Sequence, residues 1–253
     1  MKKVALVTGA SRRIGREIAV LLAEQGWSRA VHHRASAEHA EAAVDSCRKL
    51  NARAVSFQAD LSSESACRAL FEHVLTEFGQ VDAVINCAAL FELDDGHSVS
   101  FDGLDAHFRI NTAAPVLLTS LLHEHRKTRE KSSLTACAVN LLDQKLWNPN
   151  PDFLSYTLSK AALREATTLQ AQAYAPLVRV VGVAPGLTLP SHMMSSEKFA
   201  ELHKQAPLGQ SSDPEDIARA VLFVLQSKSI TGETILVDGG QHLMRMDRDF
   251  SLM

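Results

Sequence analysis

The chain has 253 residues, 46% hydrophobic and 22% charged, with a formal charge of −3. That is enough for one α/β domain with a sizeable core, and the charge supplies no basic footprint for nucleic acid. No apolar run approaches the ~20 residues that span a membrane, and Val4–Val7 gives way to Thr8-Gly9 too soon for a signal peptide, so a cytoplasmic protein with small-molecule partners is expected. Cysteines at 47, 67, 87 and 137 lack Cys-x-x-Cys spacing and read as buried thiols, with no metal site expected.

Val4–Val7 reads as a strand and Ile14–Glu24 as a helix, joined by Thr8-Gly9-Ala10-Ser11-Arg12-Arg13-Ile14-Gly15. Gly9 permits a tight turn, Gly15 lets the helix approach the sheet, and free N–H groups at the helix start can receive a phosphate. Arg13 stands where the usual dinucleotide fingerprint has its middle glycine. With Arg12 it forms either a ligand-contacting pair of guanidiniums or an ordinary solvated pair.

A strand at Ala30–His32 runs into His32-His33-Arg34-Ala35-Ser36. No carboxylate stands there to bind the ribose hydroxyls of NAD. Arg34 and Ser36, with added charge from Arg12, suit a 2′-phosphate, so NADPH is the expected cofactor; a basic loop facing water is the alternative.

Helix Ala37–Leu50, strand Ala54–Phe57, helix Glu64–Phe78 and strand Val81–Ile85 follow. Asp60, beside Leu61, is placed either to accept from an adenine amino group or to cap a turn. After the fourth strand come Asn86-Cys87-Ala88-Ala89 and then Phe91, which is either core or a ring at the crevice mouth.

A helical pattern over Leu104–Glu124 contains Asn111, a residue not favoured in a helix interior. Then come a strand at Leu134–Val139, Asn140-Leu141-Leu142-Asp143, the loop signal Pro149-Asn150-Pro151, helix Tyr156–Tyr174 and strand Val178–Val183. Pro185-Gly186-Leu187-Thr188, helix Pro214–Leu225 and strand Thr234–Val237 complete the series. The alternation predicts a single-domain Rossmann fold over residues 1–253: a doubly wound, seven-stranded parallel sheet with helices on both faces and a crevice at the carboxyl ends of its strands.

Tyr156 and Lys160 stand four apart and so share one helix face. A tyrosine hydroxyl titrates near ~10 alone, and a nearby ammonium stabilises its phenolate, so the pair reads as acid–base machinery.

These residues resemble the short-chain dehydrogenase/reductase superfamily over nearly the whole chain. The resemblance rests on the Thr8–Gly15 turn, Asn86-Cys87-Ala88-Ala89, Asn111, Tyr156 with Lys160, Pro185-Gly186, and Thr231-Gly232 with Val237-Asp238-Gly239-Gly240. Within it, the chain is most similar to the pteridine reductase group, which includes dihydromonapterin reductases. Arg13, Phe91, and Asp143 thirteen residues before Tyr156, where a serine is usual, carry that similarity.

The resemblance implies hydride transfer from NADPH to a C=N bond of a dihydropterin, of the dihydrobiopterin, dihydromonapterin or dihydrofolate type. It implies a cofactor site of Gly9, Ser11, Arg12, Arg13, Ile14, Gly15, His33, Arg34, Ser36, Asp60, Leu61, Asn86, Ala88, Tyr156, Lys160, Pro185, Gly186 and Thr188. Arg13, Phe91, Asp143, Tyr156 and Leu187 would contact the pterin. Asp143, Tyr156, Lys160 and Asn111 would be catalytic, Asn111 by holding a water that links Lys160 to solvent; a hydrogen bond at a helix kink is the alternative for Asn111. Residues from about 187 to 208 would form a substrate lid, and relatives on this scaffold are commonly homotetramers built on the helices after the fourth and fifth strands.

Asp143 has a chemical logic. A ketone reductase needs a neutral donor beside its tyrosine to stabilise an alkoxide, whereas C=N reduction leaves a nitrogen that must gain a proton, which a carboxyl group can carry. The alternative is that Asp143 pairs with a lysine or caps a turn. Two other functions share the scaffold: a general carbonyl or 3-oxoacyl reductase, and a non-catalytic NADPH-binding protein.

Overall fold

In the computed structural model, which describes residues 2–129, 135–191 and 193–253, the chain folds as one α/β domain around a seven-stranded parallel sheet. The strands are β1 (Val4–Val7), β2 (Ser28–His33), β3 (Ala54–Gln58), β4 (Ala83–Asn86), β5 (Ala136–Leu141), β6 (Val178–Pro185) and β7 (Thr234–Val237). Their order across the sheet is β3-β2-β1-β4-β5-β6-β7. Strands β1, β2, β4, β5 and β6 are buried throughout, which is why they read as near-continuous apolar runs rather than alternating ones. The expected first residue of the fifth strand, Leu134, lies outside the described residues, as does His192 of the expected lid.

Helices α1 (Arg13–Glu24), α2 (Ala37–Arg48) and α8 (Pro214–Gln226) cover one face, where Ile18, Leu22, Val44, Ile217 and Val221 share a core. On the other face, α3 (Glu64–Phe78), α5 (Ala114–Lys127) and α6 (Leu154–Tyr174) enclose Leu70, Phe71, Leu118, Leu122 and Ala171. The sheet is therefore covered on both sides, and the crossovers β1-α1-β2 and β4-α5-β5 leave it in opposite directions. That reversal opens a crevice between the carboxyl ends of β1 and β4. Among the described residues, no helix is long and apolar enough to cross a membrane.

Two elements depart from expectation. The helical pattern over Leu104–Glu124 is not one helix: α4 (Phe101–Phe108) passes through a π-turn at Arg109–Ala113 before α5 begins. Pro115 has no N–H to return to the carbonyl of Asn111, so the ordinary helical ladder cannot continue there. The second departure is α7 (Ser196–His203), inside the segment expected to be a lid. Its only fully covered side chain is Leu202, so it carries no apolar stripe to announce it, although Ser195 caps its start by accepting from the Lys198 N–H.

Candidate active site

A cleft of about 560 Å³ occupies the crevice at the carboxyl ends of the strands. At one end lies the β1–α1 turn. Gly9 has φ +66°, and a Cβ on Gly15 would sit 2.4 Å from the Gly9 carbonyl oxygen, so the helix can approach the strand only without a side chain there. Arg12 begins α1 without a side-chain cap, which leaves the first-turn N–H groups directed at the cleft. Arg13 adopts φ +55°, the left-handed conformation that explains why a glycine usually holds this position, at a strain of about 1–2 kcal/mol. Its guanidinium donates to the Pro190 carbonyl at 3.0 Å, tying the turn to the segment across the cleft.

His32 pins that turn from behind. Its Nδ1 accepts from the Gly9 N–H at 3.1 Å, so Nε2 carries the proton and donates to the Ala59 carbonyl at 3.2 Å. Burial pushes the imidazole pKa down to about 4, from 6.5. The neutral ring therefore stabilises the fold above pH 6.5, and this contribution is lost as the pH falls towards 4. Between pH 7 and pH 5 the protein is expected to lose roughly 2 kcal/mol to this one group. Urea denaturation at both pH values checks this: His32→Asn should remove most of the difference, and an equal loss in the variant would assign the acid sensitivity elsewhere.

The β2 end presents His33, Arg34 and Ser36 to the cleft, and Asp60 and Leu61 line it beside β3. His33 is buried, and its Nδ1 has no hydrogen-bond partner. Asp60 also shapes its own turn, accepting from the Ser62 N–H at 2.9 Å and hydroxyl at 2.8 Å, and these bonds lower its pKa. Both readings of Asp60 are thus compatible with its position.

Two predicted site side chains take their partners inside the protein. Asn86 does not line the cleft: its amide donates to Asn140 Oδ1 at 2.8 Å, and Asn140 donates on to Thr167 Oγ1 at 2.9 Å, a polar chain from the sheet to α6. The side chain of Asn111 is also fully engaged away from the cleft. It accepts from the Leu90 N–H at 2.7 Å and donates to the Leu90 carbonyl at 2.9 Å and to Ser159 Oγ at 3.0 Å. It fixes the segment that carries Phe91.

At the centre, the Tyr156 hydroxyl donates to Asp143 Oδ2 at 2.8 Å, and Asp143 Oδ1 accepts from the Lys145 N–H at 2.9 Å. The aspartate therefore does cap a turn, and it also faces the tyrosine. Burial raises the Asp143 pKa and, together with the Asp143 charge, raises that of Tyr156 well above 10. This net direction is opposite to the lowering expected from the ammonium alone. Lys160 itself donates to the Leu141 carbonyl at 2.6 Å, and burial lowers its pKa to about 8. Asp143 and Tyr156 are hydrogen-bonded, so their protonation is coupled.

Phe91 lies against this pair, its ring edge-on to Tyr156 with centroids 4.8 Å apart. One face stacks on Phe153 at 4.1 Å with an interplanar angle of 13°. A ligand ring can therefore cover only the other face. Pro185, Gly186, Leu187 and Thr188 line the cleft after β6, but the Thr188 hydroxyl donates back to the Gly186 carbonyl at 2.9 Å.

The cleft is completed by residues that no local motif announced. Lys145, Ser191, Asp249, Phe250 and Ser251 all reach the crevice, while Phe153, fully buried at φ +54°, lies behind Phe91. Lys145 was hidden beside Asp143 as an ordinary loop lysine. Nothing in the sequence around Asp249 marks it as a neighbour of residues a hundred positions earlier.

A family model described as enoyl-(acyl carrier protein) reductase matches residues 9–242. A 3-oxoacyl-[acyl-carrier-protein] reductase FabG of Staphylococcus aureus is 31% identical over 260 residues, covering 96% of this chain and 99% of that protein. An uncharacterised oxidoreductase of Methylorubrum extorquens is 32% identical over 246 residues, covering 94% and 97% respectively. Among solved structures, FolM alternative dihydrofolate reductase 1 from Brucella canis, complexed with NADP, is similar with a TM-score of 0.90 and 35% identity, covering 96% of this chain and 95% of that one.

Proposed function

The chain belongs to the short-chain dehydrogenase/reductase family and is an oxidoreductase of that family, and on this premise we propose that it is an NADPH-dependent pteridine reductase. The observation that carries the reading is the 2.8 Å bond from the Tyr156 hydroxyl to Asp143, a carboxyl group where ketone reductases place a neutral hydroxyl. Likeness to the Brucella FolM structure supports it.

The residues present fit NADPH. An uncapped helix start and a glycine that tolerates no Cβ suit a pyrophosphate, and the unpartnered buried Nδ1 of His33 beside Arg34 and Ser36 suits a ribose phosphate. Bound there, the cofactor supplies a hydride to the carbon of a pterin C=N bond. Lys160 and Tyr156 orient the nicotinamide ribose, and Asp143, sharing a proton with Tyr156, delivers that proton to the pterin nitrogen next to the reduced carbon. The free face of Phe91 orients the flat ring, worth roughly 0.5–1.5 kcal/mol beyond area burial. Arg13, bonded to Pro190, links the phosphate turn to residues 187–208, which close over the substrate as a lid. Exposed Phe101 and Phe108 on α4 and Leu158 and Leu169 on α6 support a homotetramer built on those helices.

A second reading, a carbonyl or 3-oxoacyl reductase, is favoured by the likeness to FabG. Incubating the protein with NADPH and either a dihydropterin or a β-ketoester separates the two. Pteridine reduction predicts turnover of the dihydropterin; turnover of the ketoester alone overturns it. Cofactor choice is a separate prediction. NADPH should be preferred over NADH, and Arg34→Ala should lower that preference on the order of 10- to 100-fold, the loss of one charge-assisted contact. Equal use of NADH by the unaltered protein would remove the basis for assigning Arg34 to the phosphate.

A further inference from the structure

Lys145 is buried two residues beyond Asp143, and its ammonium donates to Asp249 Oδ2 at 2.9 Å and to the Asp152 carbonyl at 2.6 Å. Asp249 is held in turn. Its N–H donates to Asp152 Oδ2 at 2.7 Å, its Oδ1 accepts from the Ser251 N–H at 3.0 Å, and the neighbouring Arg248 donates to both Asp152 oxygens at 3.1 and 2.9 Å. Ser251 reaches Ser191 across the cleft at 3.3 Å. The same ammonium lies 5.3 Å from the centroid of Phe153, the ring on which Phe91 stacks.

A buried ion pair is weak evidence for stability, because desolvating two charges costs about as much as their attraction returns. This one joins four parts of the site instead: the catalytic carboxyl through the Lys145 backbone, the aromatic pair through Phe153, the start of α6 through Asp152, and the segment 248–252. We propose that the Lys145–Asp249 ion pair is a positioning device of the active site, which holds the segment 248–252 as a wall of the substrate end of the cleft and sets the charge environment of Asp143 from both signs at once. The proposal rests on the assignment of Asp143 as the proton donor.

The charged and titratable groups facing Asp143 are Tyr156 and Lys160 from α6, Lys145 from its own turn, and Asp249 from the segment 248–252. Asp249 opposes ionisation of both Asp143 and Tyr156, while Lys145 favours ionisation of Asp143. Neutralising the two partners should therefore act in opposite directions. A role confined to stability would move neither in a signed way.

The test is a ¹³C-carboxyl NMR titration of Asp143, assigned with Asp143→Asn, alongside the pH profile of kcat/KM for a dihydropterin. Asp249→Asn should lower the Asp143 titration, and the alkaline limb of the profile with it, by about one pH unit. Lys145→Gln should raise both by a similar amount, and the double variant should return near the original. Shifts of one sign in both variants, or none, overturn the proposal. Where a single variant does not fold, Asp249→Glu replaces it: the charge is kept but displaced, so kcat/KM should fall at least about tenfold, and an unchanged value overturns the proposal. The titration needs no substrate, so signed shifts without dihydropterin turnover would retain the positioning pair and reject the pteridine assignment alone.

Discussion

Asp143→Ser should lose pterin reduction by roughly 10²–10⁴-fold, the range for removal of a general acid. The serine hydroxyl can still meet Tyr156, as in a ketone reductase, but it cannot give up a proton near neutral pH to a ring nitrogen. Weak activity on activated ketones should survive or rise. The substitution removes a buried carboxyl whose pKa is raised by burial, so folding should not suffer for lack of the charge. The measurement is single-turnover reduction of a dihydropterin, with NADPH binding followed by nicotinamide fluorescence. Affinity for NADPH should stay close to the original value, since Asp143 is bonded to Tyr156 and to its own turn. Full retention of pterin reduction in the serine variant would leave the chain a carbonyl reductase of undetermined substrate.

Tyr156→Phe should reduce turnover by a comparable roughly 10²–10⁴-fold, for a different reason. The ring and its edge contact with Phe91 remain, but Asp143 Oδ2 loses its donor. That bond favours the ionised carboxylate, so Asp143 should bind its proton more tightly without it. The variant's residual activity should therefore have its alkaline limb shifted to higher pH, which a pH profile of kcat/KM reveals. A loss smaller than tenfold with an unshifted limb would show that the hydroxyl neither transfers the proton nor tunes the acid that does.

The sequence made the scaffold legible because each parallel strand is short, apolar and followed by a helix of opposite periodicity. It made Tyr156, Lys160, Gly9 and Gly15 legible because their chemistry depends on near neighbours in the chain. The side-chain partners of Asn86 and Asn111 were not legible: their amides bond to Asn140 and Leu90, which only the folded chain brings near. The net acidity of Tyr156 was not legible because burial, which raises its pKa, is a property of the whole fold, whereas Lys160 is four residues away. Lys145 and Asp249 were invisible for the same reason: they are 104 residues apart, and nothing local binds them together.

The cleft is lined from Gly9 at one extreme to Ser251 at the other, so nearly the entire length of the polypeptide contributes to one ligand. During synthesis, no partial chain holds both walls; β1 must wait for β4 to lie beside it, and Lys145 must wait for Asp249. Long-range pairing of this kind folds slowly. Once formed, the assembled walls give a bound ligand leverage over the complete fold, since occupancy at 100 times Kd adds about 2.7 kcal/mol against global unfolding. Saturating cofactor should thereby raise the resistance of the whole fold to unfolding.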